Sequence, residues 1–360
     1  MSVEEALGYI EKLKNEIKHT NSTKWKIMCM VNILTIIDYL SDSHNFYVDD
    51  ESIINSDLFQ KSLNALDNEC SQEIKEFLNI NSLTNKLANG CINIYNQQKF
   101  NPFIFSKETY VDGKVLHEIL DNFFGLFDNN IYKKYQEMSE TSIGDPGDKG
   151  AGVCWDFFAI GKQSIDLEDS SPIDFTIGFV HEMGHAIHLD AISKIGKKKL
   201  NGSSLSEGPS LLFELLYINY LKDNNIDINH NLKTYFIDFL GYALKAKAGT
   251  MAKNKDLLIE SDGSVYYTSD FLDPKNIGAY GYIFDDTPWL NDYVRPLYYF
   301  YGVLIALKFI DNYGMDYPVI AKELLNYMYR SELMSIEDSL EEISLNKVPN
   351  SLVKNLRRIR

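Results

Sequence analysis

The chain is poor in cysteine, in positive charge and in long apolar runs. Its four cysteines, Cys29, Cys70, Cys91 and Cys154, lie far apart and form no CxxC pair. That excludes a disulfide framework and a cysteine-built zinc site, and fits buried free thiols in a reducing cytoplasm. Lys and Arg number 35 against 51 Asp and Glu, a formal charge of −16. Such a surface repels nucleic acid and anionic membranes. Only the tail from Lys354 to Arg360 has the opposite sign, as suits either a helix end rich in cations or a partner contact. The most apolar early run, 27–40, is broken by Asn32 and Asp38 and is too short to span a bilayer. The N-terminus, Met1-Ser2-Val3-Glu4-Glu5-Ala6, is acidic and amphipathic, unlike a secretory signal. A cytoplasmic protein, monomer or homodimer, without nucleic-acid or membrane partners is expected.

What is present is a chain of 360 residues, 45% hydrophobic, enough for a large globular core. Apolar residues Val3, Ala6, Leu7, Ile10, Leu13 and Ile17 recur at helical spacing over 3–19. Asn21-Ser22-Thr23 can cap a second helix reaching about Leu40, and 50–66, 71–97 and 114–126 also read as helices. No repeat or low-complexity linker interrupts them. The turn-rich stretch 141–153 marks a change, after which 153–160 and 164–167 read as short strands of a hairpin through Gly161-Lys162. The domain expectation is an N-terminal helical lobe, 1–135, and a catalytic region, 136–360, packed as one unit.

The chain has 7 histidines, and three fall at 181, 185 and 188. His181-Glu182-Met183-Gly184-His185 is an HExxH motif. On a helix, side chains four apart share a face, so His181 and His185 can hold one metal ion. Glu182 can then reach a water there and act as general base, which is the chemistry of a zinc peptidase with one Zn2+ per chain. Helix signals surround the motif. Asp174 or Ser171 can cap, Pro172 suits a first turn, and apolar residues recur from Ile173 to Ile195.

A peptidase zinc site needs three protein ligands and one open position. Glu207, in Ser206-Glu207-Gly208-Pro209-Ser210, lies 22 residues after His185 at the start of a further helix and is the candidate third ligand. Glu214, two turns on, is placed to orient a ligand from behind. His188 is expected to be a structural or orienting partner, because a fourth ligand would close the catalytic position.

His181-Glu182-Met183-Gly184-His185-Ala186-Ile187-His188, followed by Glu207-Gly208-Pro209-Ser210 and Glu214, resembles the thimet oligopeptidase and oligoendopeptidase F group of zinc peptidases. Lys149-Gly150-Ala151 resembles that group's substrate-side segment. The resemblance is specific over about 145–215 and looser beyond. It implies a mainly α, zincin-like fold: a helical bundle enclosing a substrate channel, with a small β-hairpin or sheet beside the HExxH helix. It also implies short peptide substrates, with Gly150 and Ala151 lying along them. Members of the group stabilise the oxyanion with C-terminal tyrosines and often a histidine. Within Trp289-Leu290-Asn291-Asp292-Tyr293-Val294-Arg295-Pro296-Leu297-Tyr298-Tyr299-Phe300-Tyr301-Gly302, Tyr298 is the first choice for that role, with Tyr293 and Tyr301 behind it. The histidine is absent, and the chain is shorter than full-length members of the group.

The remaining C-terminal half reads as helices at 230–250 and 288–329, a hairpin at 256–268 about Asp262-Gly263, and a loop at 276–286 able to cover the site. The expected activity is endopeptidase cleavage of short peptides. Two alternatives remain: a metallocarboxypeptidase, with Arg295 receiving the substrate's C-terminus, or a zinc-containing peptide binder without turnover.

Overall fold

The computed structural model describes residues 1–48, 53, 56–101, 111–141, 143–145, 152–168, 171–193, 205–259, 265–267 and 293–359. Helices dominate. Helix α1 spans Val3–His19 and opens with a capping box, Ser2 and Glu5 each satisfying the other's backbone N–H. Helix α2, Thr23–His44, is capped by Ser22 as expected but runs past Leu40 to a left-handed Asn45, φ 50°. Helices α3, Asp57–Asn79, and α4, Asn81–Gln97, follow. The break expected near residues 67–70 instead falls at Ile80, because Ile74, Phe77, Ile80 and Leu87 bury one continuous seam. Helix α5 is Gly113–Phe124, and α6, Asn129–Thr141, was not read from the sequence.

The β-hairpin after them has strands β2, Val153–Phe157, and β3, Lys162–Glu168, in antiparallel register Val153↔Asp166 to Phe157↔Lys162. A 3-10 turn, Phe158–Ile160, and Gly161 at φ 66° connect them. Strand β1, Ile143–Asp145, adds in parallel to β3, giving the order β1-β3-β2 and leaving β2 at an edge. Helix α7, Pro172–Ser193, carries the HExxH motif and packs against β2 and β3, so the hairpin lies beside it as expected.

Helices α8, Glu207–Asp223, and α9, Asn229–Gly249, come next. Strands β4, Leu257–Ile259, and β5, Val265–Tyr267, form the second expected hairpin, whose turn lies outside the described residues. The helix read over 288–329 is two: α10, Arg295–Tyr313, and α11, Tyr317–Ser331. Gly314 at φ 68° ends the first, and Asp316 caps the second. Two short helices, α12 at Ile336–Glu342 and α13 at Asn350–Leu356, complete the chain.

The main core runs from Ile74 to Leu356 and centres on α7, α8 and α10. Helix α8 is buried nearly all round, with Leu211, Leu212, Phe213, Leu215, Leu216, Tyr217 and Ile218 all inside. Each such side chain contributes roughly 1.5–3 kcal/mol of burial, so α8 is the fixed post against which the other two helices are set. A second, smaller core joins Ala6, Ile10 and Leu13 of α1 to Ile33, Ile36, Tyr39 and Leu40 of α2 and Phe157 of β2. The Asn32 amide nitrogen donates to the Asp156 carbonyl, its oxygen accepts from the Ala159 N–H, and Tyr39 packs edge-on against Trp155 and Phe157. No helix among the described residues is long and apolar enough to cross a membrane.

Candidate metal centre

Helix α7 begins where the sequence signals place it. The Ser171 hydroxyl accepts from the Asp174 N–H at 3.3 Å, and Asn231 of α9 donates to Asp174 at 2.7 Å. The helix then crosses α8 at very short range. A Cβ added to Gly184, inside the motif, would lie 2.4 Å from the Cα of Ser210. Glycine there lets the start of α8 come close enough for Glu207 to face both histidines. A Cβ on Gly302 would likewise lie 2.8 Å from the Cβ of Glu207, so α10 closes on the same carboxylate from the other side.

His181, His185 and Glu207 thereby converge, with one ligand atom from each lying within 4.8 Å of the others. Nε2 of His181 is 3.4 Å from Oε2 of Glu207, and Nε2 of His185 is 3.5 Å from Oε1. Oε2 of Glu207 is buried and has no hydrogen-bond partner of good geometry among the described residues. Tetrahedral ligands about 2.0–2.1 Å from one ion stand about 3.3–3.4 Å apart. The spacing, the orphaned oxygen and the His-His-Glu donor set therefore fit a bound metal ion.

The surroundings tune these groups. Nδ1 of His181 is 2.9 Å from Oε2 of Glu214, so its N–H donates there and Nε2 is left facing Glu207. Burial works against a charged His181, but Glu207 and Glu214 outweigh it and hold its pKa well above the usual value. Burial also opposes a charged Glu207, yet His185 and His181 hold that carboxyl far below the ordinary range. Glu182 is only 5% exposed, and burial raises its pKa. His181 and His185 and the backbone N–H of Cys154 on β2 pull in the other direction, with Glu207 adding to the rise. A carboxylate held this way is suited to taking and returning a proton.

The other expected residues have these places. His188 is buried, 3.9 Å from Oε1 of Glu332 at the end of α11. Gly150 and Ala151 lie outside the described residues. The Tyr298 hydroxyl donates to Glu73 of α3 and its ring leans on Phe77. Tyr301 bonds Thr84 at 2.7 Å in the core, and Tyr293 is 2% exposed, its backbone N–H donating to Val265.

Among the described residues, Tyr299 is a tyrosine beside His181. Its ring lies nearly parallel to that of His181, centroids 6.4 Å apart, and stacks on Tyr242 of α9 at 4.8 Å. Burial and the charge of Glu207 push the Tyr299 hydroxyl's pKa far up, so it stays a protonated donor. Arg295 is exposed at the first turn of α10, its charge reaching both Tyr242 and Tyr299. Sequence reasoning missed Tyr299 because Tyr298 and Tyr299 sit about 100° apart on one helix, and the run itself does not say which side meets the motif.

No family model matches the chain, and no curated protein matches it. Two solved structures are similar. One, from Chlamydophila abortus, is described as a putative peptidase; it is 14% identical, with a TM-score of 0.55, and the match covers 94% of this chain and 62% of the other. The second, from Bacillus anthracis str. Ames, is described as a putative oligoendopeptidase F; it is 13% identical, with a TM-score of 0.46, over 93% of this chain and 62% of the other. The chain thus spans less than two thirds of the length of either structure. The first likeness is one of fold, and it agrees with a mainly helical architecture.

Proposed function

We propose that the chain is a zinc-dependent peptidase that cuts within short peptides. The observation that carries this is the convergence of His181, His185 and Glu207 with a buried Glu182 on the same helix. A zinc ion held by those three ligands, one per chain, would supply a Lewis acid that brings water to a pKa of about 7 and polarises the scissile carbonyl.

The chain's own residues do the rest. Glu182 takes the proton from the attacking water and returns it to the leaving amine. Its raised pKa, caused first by burial, moves it toward the range in which both transfers are efficient. The Cys154 N–H on β2 favours the charged form of that carboxylate. Glu214 fixes the His181 ring. Tyr299, with Tyr242 stacked behind it, is the donor placed to meet negative charge developing on the carbonyl oxygen. Strand β2 leaves an edge beside α7 to which an extended peptide can add by backbone hydrogen bonds. Arg295 beside the tyrosine pair also supports a carboxypeptidase reading, separable by comparing peptides with free and amidated C-termini.

Metal content and cleavage of a mixed short-peptide library test the reading on the wild type and on Glu182→Gln. Zinc near one per chain in both, with cutting by the wild type alone, is the expected result. Absence of bound metal from the wild type would sink it.

A further inference from the structure

Gly152 leads into β2, one residue before Val153. The reaction above makes no use of it. Its backbone does not call for glycine. Among the described residues the glycines with a left-handed φ are Gly161 and Gly314, so no such strain reserves position 152 for glycine.

What glycine supplies there is room. A Cβ added to Gly152 would lie 3.1 Å from Cγ of Glu182, 3.3 Å from its Oε1 and 2.8 Å from Cδ2 of Leu167. Carbon atoms in ordinary contact stand about 3.5–4.0 Å apart. At Gly8 and Gly113 the same atom would meet nothing within 4 Å. The bare Cα at 152 therefore brings the entry of the strand against the side chain of the general base, which belongs to a different element.

The two neighbours yield differently. Cδ2 of Leu167 is the far end of an aliphatic side chain, and a rotation moves it aside. Glu182 is 5% exposed, on a helix fixed by its close crossing with α8 at Gly184 and Ser210. An added methyl would press on its stem and on one carboxylate oxygen together, so it yields by turning the carboxylate. Two residues further along, the Cys154 N–H favours the charged form of that carboxylate. Positions 152 and 154 of one strand thus both bear on the base, one by room and one by charge.

We propose that Gly152 is a positioning residue, whose bare Cα fixes where the Glu182 carboxylate lies relative to His181, His185 and Glu207. It acts through Glu182. For the task of that carboxylate the inference rests on the peptidase reading; for the contact it does not. A reacting group misplaced by about 1 Å costs up to about 100-fold in rate, and a single methyl at 152 is expected to act on that scale.

Gly152→Ala, Leu167→Val and the two together test it, beside the wild type, on one short peptide that the wild type cuts. Gly152→Ala is expected to lower kcat about 10- to 100-fold, with KM and zinc content unchanged. Leu167→Val clears Cδ2 from the methyl but leaves Glu182 in its way, so the pair should stay as slow as Gly152→Ala alone. An unchanged kcat overturns the inference. So does recovery in the pair, or zinc lost in step with activity, because either places the damage outside the base. Urea unfolding tests the contact without turnover. Gly152→Ala should lower the unfolding midpoint more in the wild type than in Glu182→Ala, where the methyl finds space. Equal shifts overturn the inference. If the wild type cuts no peptide, the peptidase reading falls and the midpoints decide: a shift relieved by Glu182→Ala keeps Gly152 as the residue that places Glu182.

Discussion

Nδ1 of His181 lies 2.9 Å from Oε2 of Glu214, two turns beyond Glu207 on the same helix. One helix therefore carries both a candidate metal ligand, Glu207, and the carboxylate bonded to another, His181. Replacing Glu214 by Ala should leave the fold intact and weaken zinc binding roughly 10- to 100-fold, as loss of such an orienting carboxylate does elsewhere. Competition with a chelator of known affinity measures it, and Glu214→Gln, which can still accept the hydrogen bond, should fall between.

Tyr298 and Tyr299 give opposite expectations. Tyr299→Phe should lower kcat about 10²- to 10³-fold if its hydroxyl meets the oxyanion, with metal content unchanged. Tyr298→Phe should lose its bond to Glu73 and cost about 1 kcal/mol of stability. Steady-state kinetics and denaturant unfolding of the two variants separate the roles.

Gly184→Ala tests the close crossing of α7 and α8. The new methyl would meet backbone, not a flexible side chain, at 2.4 Å. The helices must part, so a loss of about 1–3 kcal/mol or more is expected in urea unfolding. Zinc affinity should fall with it, since Glu207 would draw back from the histidines.

Asp238 of α9 gives a pH signature. Burial, with a further contribution from Glu214, puts its folded pKa at about 7, above the unfolded value of about 3.9. A group raised in this way favours the fold fully below about pH 4 and loses that contribution as the pH climbs through 7. Asp238→Asn removes the loss. The melting temperature of the variant minus that of the wild type should therefore be more positive at pH 8 than at pH 4. A flat or falling difference would contradict the assigned environment.

Much of this was legible in the sequence because it is local. The pair His181 and His185 needs only a helix, and Ser171, Pro172 and the apolar spacing declare one. Glu207 was reachable because a catalytic metal site wants a third ligand and the next helix begins with an acid. The tyrosine was not, since Tyr298 and Tyr299 differ only in which neighbour each faces, Glu73 or His181, and both neighbours are distant in sequence. Asp238 and Tyr242 are silent for the same reason: lone polar residues in α9 acquire meaning only when α9 and α10 pack. The split of 288–329 was avoidable, because Gly314, Asp316 and Pro318 carry the stop, cap and first-turn signals in order.

Among the described residues the N-terminal helices hold no member of the His-His-Glu cluster, yet they bear on the chemistry through β2. Asn32 and Tyr39 of α2 contact that strand and its turn, and the Cys154 amide on it favours the charged form of Glu182. The strand is a lever with its fulcrum in the smaller core. A lesion in α2 that loosened the hairpin would be felt as a misplaced proton acceptor, with every metal ligand still in its place.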